Sequence, residues 1–244
     1  MQGPTLVPVA VLGDRPFEQV QTRTGSLYTG PVSRIVIVDY GAGNLRSVSR
    51  AIAHQGYEPE ISPEARAVDG ADVLVLPGVG AAADTMRNLQ DHGLVEPIRE
   101  YIKSGRPFLG VCMGQQALLS VSEEGGEHRC LDVIPGRVKR LPAGQKVPHM
   151  GWNRVQQRID HPVWEGIEDG AYFYFVHSYY PAPDDDAVVI GETEYGVKFA
   201  SVLARDNLVA TQFHPEKSGK DGLRFYANFL RNAMGEPLRV ETPG

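Results

Sequence analysis

The sequence predicts an α/β fold, built on a mostly parallel mixed sheet flanked by helices. Short, continuous apolar runs alternate with helical stretches in the first half of the chain, at residues 35–38, 72–76 and 108–111. Each run ends in a glycine-rich turn, at residues 41–43, 77–80 and 110–114. Continuous apolar strands are typical of a sheet covered on both faces. Because crossovers between parallel strands are right-handed, we expect these turns to gather at the carboxyl edge of one sheet.

The helices follow from spacing and from capping residues. After the first strand, Asn44 can cap a helix whose apolar residues Leu45, Val48 and Ile52 share one face, and Gly56 ends it. Further helices are predicted at residues 82–91, 95–104, 115–121 and 222–234. Strands rich in aromatic and β-branched residues are predicted later in the chain, at residues 172–180, 199–203 and 208–213.

Length and composition indicate a single folded domain. The chain has 244 residues, of which 42% are hydrophobic and 22% charged, values usual for globular proteins. We expect one domain over residues 33–240. Residues 1–32 hold several glycines and prolines without periodicity, so they are expected to be an irregular extension.

Charge and cysteine content exclude several classes of function. The net charge is 24 − 30 = −6 and no basic stripe stands out, so neither nucleic acid nor an anionic membrane is expected as a partner. Two cysteines cannot form a disulfide framework, which favours a reducing compartment such as the cytoplasm. No apolar run approaches the roughly 18 residues of a membrane span.

A candidate nucleophile, Cys112, lies in the sequence Gly110-Val111-Cys112-Met113-Gly114, between a predicted strand and a predicted helix. This is the context of a nucleophile elbow, where glycines on either side relieve crowding and a helix N-terminus favours the thiolate. A lone buried cysteine can also be a small core residue. The elbow context favours the reactive interpretation, and a thiolate then needs a nearby base.

His214 is the best-placed base because His214-Pro215-Glu216 follows the predicted strand 208–213. In extended chain, positions two apart point the same way, so Glu216 could accept a hydrogen bond from the imidazole of His214 and fix its tautomer. The sequence therefore predicts a triad of Cys112, His214 and Glu216.

These motifs resemble those of the class I, triad-type glutamine amidotransferases, over about residues 34–234. Four further blocks, in the right order, resemble the subgroup whose ammonia serves histidine biosynthesis. They are Val-Asp-Tyr-Gly-Ala-Gly-Asn-Leu (38–45), Pro-Gly-Val-Gly (77–80), Pro-His-Met-Gly-Trp-Asn (148–153) and Tyr-Phe-Val-His-Ser-Tyr (174–179). The elbow departs from the family pattern at Val111, Met113 and Gln115, with changes that conserve size.

The resemblance implies an amidotransferase (flavodoxin-like) fold and a glutaminase that needs no cofactor or metal. It assigns the oxyanion donors to the backbone N–H groups of Val79 and Met113, with a turn of strand 77–80 as a possible gate on activity. It implies that the glutamine pocket contains Gly80, Gln116, His177, Ser178 and Tyr179. For His177, the alternative is a structural histidine of the core.

The resemblance also implies a partner, a cyclase subunit with a (β/α)8 barrel that consumes the ammonia. Its docking face is expected to include Asn44, Pro148, Met150, Trp152, Tyr174 and Lys217. Trp, Tyr and Met are enriched at interfaces. For Trp152, the alternative is a place in the core.

Other interpretations have weaker support. A dinucleotide site is suggested by Gly41-Ala42-Gly43, but Arg46 stands where the third glycine of that motif belongs. Gly219-Lys220 lacks the other residues of a P-loop, and His128 with Cys130 lacks a second ligand pair for zinc. Two alternatives stay open, the glutaminase subunit of another class I complex and a catalytically silent scaffold that binds the barrel.

Overall fold

The computed structural model describes residues 34–235, so the predicted extension at residues 1–32 lies outside the described residues. Fourteen strands are present in this part of the chain: Ile35–Val38 (β1), Glu60–Ser62 (β2), Val73–Gly78 (β3), Phe108–Cys112 (β4), Val121–Ser122 (β5), His128–Arg129 (β6), Gly136–Arg140 (β7), His149–Arg154 (β8), Gln156–Gln157 (β9), Tyr172–His177 (β10), Tyr179–Pro183 (β11), Val189–Glu194 (β12), Lys198–Arg205 (β13) and Leu208–Thr211 (β14).

Six α-helices accompany these strands in residues 34–235: Leu45–Ala53 (α1), Ala65–Asp69 (α2), Ala82–Asp91 (α3), Val95–Lys103 (α4), Met113–Gln116 (α5) and Gly219–Met234 (α6). Short 3₁₀ turns lie at Pro162–Trp164, Asp186–Val188 and Pro215–Lys217. None of the helices in the described part of the chain is long and apolar enough to cross a membrane.

The predicted α/β fold is confirmed. One sheet has eight strands in the order β2-β1-β3-β4-β14-β13-β12-β9. The strands from β2 to β14 in this order pair in parallel, and β13, β12 and β9 continue the sheet antiparallel. Two smaller sheets are attached, β10-β8 and β11-β7-β5-β6.

The apolar strands are continuous because both faces of the sheet are covered. In β1, Ile35 and Ile37 pack into one hydrophobic cluster, whereas Val36 and Val38 pack into another on the opposite face. Side chains alternate between the faces of a strand, so each face of a fully buried strand has to be apolar.

The predicted helix at residues 115–121 is wrong. The helix α5 ends at Gln116, and the segment after it turns away. The carbonyls of Ala117, Leu118 and Leu119 accept hydrogen bonds from the backbone N–H groups of residues 131–134, at 2.8–3.0 Å. Partners distant in sequence thus replace the bonds that would have extended the helix.

The predicted strand at residues 172–180 is two strands. β10 pairs with β8, and β11 pairs with β7 in a different sheet, so the chain changes sheets at Ser178. The exposed face of the β8-β10 pair and the change of sheet at Ser178 both border the cavity described below.

Candidate active site

Cys112 lies at the end of β4, in a backbone conformation that is rare for a residue with a side chain. Its φ angle is +55°. The turn is possible because its neighbours are glycines: a Cβ on Gly114 would lie 1.8 Å from the carbonyl oxygen of Leu76, and one on Gly110 would lie 2.9 Å from that of Gly114. Such local strain is typical of functional positions. The strain presents the side chain of Cys112 to the cavity beyond the sheet edge.

The helix behind Cys112 is shorter than the sequence predicts. With only four residues, α5 aligns few peptide dipoles toward the sulfur, so its electrostatic effect is small. A thiolate at this position depends on neighbouring groups from other elements.

His214 and Glu216 form a buried pair. The Nδ1 atom of His214 lies 2.8 Å from Oε1 of Glu216, and both side chains are at most 3% exposed. The pairing is the one expected, but the local geometry is not extended chain, because Pro215–Lys217 is a 3₁₀ turn. The hydroxyl of Ser218 donates to the carbonyl of His214 at 2.7 Å and accepts from the backbone N–H of Tyr174 at 3.0 Å, which fixes the turn against β10.

The second ring nitrogen of His214, Nε2, is buried and has no hydrogen-bond partner among the described residues. Burial by itself lowers the pKa of His214. The negative charge of a Cys112 thiolate and the contact with Glu216 outweigh burial and raise this pKa to about 10. The sulfur is therefore near enough to interact electrostatically with the imidazole, and negative charge on the sulfur stabilises the imidazolium.

Cys112 and His214 share one cavity of about 270 Å³. Eight more of the residues proposed from the sequence line it: Val79, Gly80, Met113, Gln116, Pro148, His177, Ser178 and Tyr179. Its volume is at the low end for ligand pockets, as suits a small molecule. The cavity thus unites the candidate nucleophile, the base and the expected substrate residues.

The position of the predicted oxyanion donors is known, but their role stays a prediction. Met113 follows Cys112 directly, and Val79 follows Gly78, which is the register partner of Cys112 in the pairing of β3 with β4. The side chain of Val79 is 42% exposed beside the cavity.

Gln116 is buried, with its amide nitrogen fully used. Nε2 donates to the carbonyl of Tyr179 at 2.8 Å and to Oε1 of Gln212 at 2.8 Å. Its oxygen Oε1 is buried without a partner in the described structure. A buried acceptor without a partner is costly, so this oxygen is the unsatisfied polar atom of the Gln116 side chain.

His177 lines the cavity, but both of its ring nitrogens are already engaged. Nδ1 lies 2.8 Å from the carbonyl oxygen of Tyr179, and Nε2 lies 2.9 Å from Nδ1 of His149. Burial lowers the pKa of His177 to about 3 and that of His149 to about 4, so both rings are neutral at pH 7. This geometry favours the alternative of a structural histidine over direct contact with a substrate.

Glu124 and Gln212, two polar residues in or next to the site, were missed from the sequence. Glu124 lines the cavity, and its Oε2 accepts a hydrogen bond from the backbone N–H of Ala82 at 2.8 Å. Gln212 is fully buried beside Cys112. Neither belongs to a chemical motif by spacing, although Gln212 lies two residues before His214 and could have been noticed there.

Most of the residues proposed for docking lie on one face next to this cavity. Met150 and Trp152, on β8, are 63% and 55% exposed, which excludes the alternative of Trp152 as a core residue. Tyr174 is the register partner of Trp152, and the Nζ atom of Lys217 lies 5.9 Å from the Tyr174 ring centroid. Pro148 is exposed at the cavity rim, and Asn44 precedes α1. Docking itself stays a prediction.

No group of three or more His, Cys, Asp or Glu residues within residues 34–235 is arranged to hold a metal ion. The cavity and the residues beside it offer a sulfur, an imidazole with its carboxylate, and polar groups for a small ligand.

Comparison with known proteins agrees with this site. Residues 36–233 match the family model for glutamine amidotransferase class-I. The chain is 50% identical over 202 residues to the imidazole glycerol phosphate synthase subunit HisH of Dehalococcoides mccartyi strain CBDB1, covering 83% of this chain and 98% of that protein. It is also 50% identical over 201 residues to the HisH subunit of Aquifex aeolicus, covering 82% and 97%.

Solved structures share the fold at lower identity. A crystal structure described as a glutamine amidotransferase superposes with a TM-score of 0.65 at 19% identity, covering 82% of this chain and 98% of that one. The glutaminase domain of Trypanosoma brucei CTPS with bound acivicin superposes with a TM-score of 0.61 at 17% identity, covering 84% and 95%. The match of the family model and the half-identical relatives place this chain in the class I glutamine amidotransferases, in the family of the HisH subunit of imidazole glycerol phosphate synthase.

Proposed function

We propose that this chain hydrolyses glutamine to glutamate and ammonia, with Cys112 as nucleophile, His214 as acid and base, and Glu216 as the carboxylate that orients His214. The observation that carries the proposal is the cavity that holds the Cys112 sulfur beside a buried His214-Glu216 pair. In this proposal residues 33–240 form one catalytic domain.

The reaction proceeds through a thioester. The sulfur of Cys112 attacks the side-chain amide carbon of glutamine, and the resulting oxyanion is held by the backbone N–H groups of Met113 and Val79. As the C–N bond breaks, Nε2–H of His214 donates its proton to the amide nitrogen, which leaves as ammonia. The neutral imidazole then removes a proton from water, which attacks the thioester and releases glutamate and the thiol. Glu216 holds Nδ1–H throughout, so that Nε2 is the nitrogen that exchanges protons.

The ends of the substrate are held by polar groups of the cavity. The free oxygen of Gln116 and the carboxylate of Glu124 can accept hydrogen bonds from the α-ammonium group of glutamine. Ser178 and Tyr179, where the chain changes sheets, and Gly80 complete the wall of the pocket. Acceptors in the wall of the pocket would favour an amino acid over a simple amide.

The ammonia is used by a partner. Free ammonia is protonated in bulk water, so an acceptor enzyme has to cover the site, and the relatives are named as subunits of imidazole glycerol phosphate synthase. We assign the partner as the cyclase (β/α)8-barrel subunit, in a heterodimer of the cytoplasm. Its docking face on this chain is the exposed β8-β10 surface of Met150, Trp152 and Tyr174, beside the cavity rim.

The decisive experiment compares nitrogen sources. The full chain is combined with the cyclase, and synthesis of imidazole glycerol phosphate is measured with glutamine or with an ammonium salt. Cys112→Ala should abolish the reaction with glutamine and leave the reaction with ammonium intact, because the barrel needs only ammonia. Cys130→Ala, which changes the other cysteine, is the control and should retain both reactions.

Three outcomes would contradict the proposal. If Cys112→Ala reduced synthesis equally with both nitrogen sources, Cys112 would be needed for the structure and not specifically for glutamine hydrolysis. If glutamate release survived Cys112→Ala, Cys112 would not be the nucleophile. If the wild-type chain bound the barrel without releasing glutamate, it would be a catalytically silent scaffold.

A further inference from the structure

Gln212 contacts the candidate nucleophile and has no part in the mechanism described so far. Its side chain is fully buried, and its Nε2 lies 3.6 Å from the sulfur of Cys112. Its Oε1 accepts the hydrogen bond from Nε2 of Gln116 at 2.8 Å. The Gln212 amide therefore connects Gln116, a residue of the proposed glutamine pocket, with the sulfur of Cys112.

The orientation of the Gln212 amide is fixed by its neighbours. The backbone carbonyl of Tyr179 can only accept, so the group of Gln116 that faces it has to be the NH₂ group. The other hydrogen of that NH₂ group then points to Gln212, which has to present its oxygen. A flipped Gln212 would set NH₂ against NH₂. The nitrogen of Gln212 consequently faces the sulfur and donates a hydrogen bond to it.

A buried chain of hydrogen bonds holds the carbonyl of Tyr179 in place. His177 has to carry its hydrogen on Nδ1 to reach that carbonyl, so its Nε2 is an acceptor. Nδ1 of His149 then carries a hydrogen toward His177, and Nε2 of His149 accepts from the amide of Asn153 at 3.3 Å. The same NH₂ group of Asn153 donates to the carbonyl of Glu194 at 3.0 Å, which fixes its orientation independently. Every link therefore has one direction.

We propose that Gln212 is a further catalytic residue, whose amide N–H donates a hydrogen bond to the Cys112 sulfur and stabilises it as a thiolate. Gln116, His177 and His149 are positioning residues that hold this amide in the donating orientation. The inference rests on the proposed glutaminase function and deepens it.

The physical argument concerns which groups can stabilise negative charge on the sulfur. A single helical turn behind Cys112 contributes little, whereas a hydrogen bond from a buried amide to a charged acceptor is stronger than one between neutral groups. His214 supplies the positive charge, and it also has to move protons during turnover. The amide of Gln212 does not titrate, so it keeps stabilising the thiolate while His214 changes its protonation state.

The other titratable groups near the sulfur do not stabilise negative charge on it. His177 and Glu124 line the same cavity, and Tyr40 is close enough to interact with a Cys112 thiolate. His177 is neutral, and the carboxylate of Glu124 and the hydroxyl of Tyr40 supply no positive charge. The amide of Gln212, in contrast, is an uncharged donor within hydrogen-bond distance of the sulfur.

The test measures the reactivity of the Cys112 thiol as a function of pH. The full chain carries Cys130→Ala, so that iodoacetamide modifies Cys112 alone, and Cys112→Ala defines the background. Gln212→Met removes the amide but keeps the length of the side chain, and Gln212→Glu keeps the acceptor for Gln116 but replaces the donor with a carboxylate. We expect the pH midpoint of alkylation to rise in Gln212→Met, with about a tenfold slower reaction at pH 7. We expect it to rise further in Gln212→Glu.

The outcomes separate a catalytic from a structural role. If Gln212 only filled space, Gln212→Met would lower the melting temperature without moving the alkylation midpoint, and that result in a folded variant would overturn the proposal. Where Gln212→Met does not fold, Gln212→Glu decides, and a midpoint equal to the wild-type value overturns it. Glutamate release by the parent chain is measured in parallel. Its absence would count against the proposed function instead.

Discussion

At the residue scale, two opposing effects, burial and neighbouring negative charge, set the pKa values of the histidines in the site. Burial lowers the pKa of a lone imidazole, as it does for His177, whereas His214 in the same cavity has its pKa raised by the neighbouring Cys112 and Glu216. Two histidines lining one small cavity thus have opposite protonation at pH 7. Negatively charged neighbours, and not exposure, decide which of them can act as an acid.

The first residue-scale prediction concerns Glu216. Glu216→Gln removes a negative charge 2.8 Å from Nδ1, so the pKa of His214 should fall and the imidazolium should lose its proton at a lower pH. Because the amide can still accept through its oxygen and hold the tautomer, kcat should fall about a hundredfold, less than the roughly 10⁴-fold loss seen when a triad histidine takes the wrong tautomer. NMR titration of the His214 ring and steady-state glutaminase rates measure the two effects.

The control for this prediction is Glu123→Gln, which removes an exposed carboxylate paired with Arg137 and should leave both measurements unchanged. His214→Asn is the harsher comparison and should stop both formation and hydrolysis of the thioester. A His214 pKa that does not move in Glu216→Gln would show that this carboxylate does not set the charge of the imidazole.

The sequence predicted many of these residues, for reasons that differ by residue. Cys112 and His214 were found because a glycine-flanked turn and a strand end have local signatures. Gln212 and Glu124 were missed because their contacts, with Cys112 and with the backbone of Ala82, join segments distant in sequence, which no local spacing records. His177 was placed at the cavity correctly, but its hydrogen bonds to His149 and Tyr179 depend on tertiary structure.

At the element scale, periodicity predicted the central sheet well and the short elements poorly. β1, β3 and β4 are fully buried, so nearly every position in them has to be apolar or small, and the run is easy to recognise. β5, β6 and β9 have two residues each, too few for any pattern, and α5 was predicted too long because its end is set by hydrogen bonds to residues 131–134. Short elements of this kind are fixed by their partners.

The element-scale prediction concerns the elbow between β4 and α5. Gly114→Ala would place a Cβ 1.8 Å from the carbonyl oxygen of Leu76, a backbone atom that cannot move without disturbing β3. We expect the free energy of unfolding to fall by about 3 kcal/mol or more, toward the upper range for overpacked sites. Urea unfolding followed by circular dichroism measures the change.

The control is Gly93→Ala, at a glycine whose φ is +66° and where no atom lies within 4 Å of an added Cβ. This variant should lose only about 1 kcal/mol, the cost of the left-handed conformation itself. Equal losses at the two positions would show that the contact with the carbonyl of Leu76 does not make Gly114→Ala unusually costly.

At the scale of the whole molecule, the parallel strands position the candidate catalytic residues, and the antiparallel pair β8-β10 forms an exposed face beside them. The carboxyl edges of β3, β4 and β14 lead directly into Val79, Cys112 and His214, which explains why residues so distant in sequence meet in one cavity. The β8-β10 pair stands beside that cavity with one face buried and the other exposed. The exposed face adjoins the place where ammonia is proposed to form.

The last prediction tests whether that face binds the cyclase. The exposed aromatic Trp152 packs its ring 6.2 Å from that of Tyr174, a preformed apolar surface of the kind that dominates binding energy at interfaces. Trp152→Ala should raise the Kd for the cyclase about 30-fold or more, measured by isothermal titration calorimetry with the full chain. Ile159→Ala, which removes an exposed apolar side chain outside the predicted docking face, should leave the Kd unchanged. Equal affinities for the two variants would mean that the barrel docks elsewhere, because a tryptophan at the centre of an interface cannot be truncated without loss.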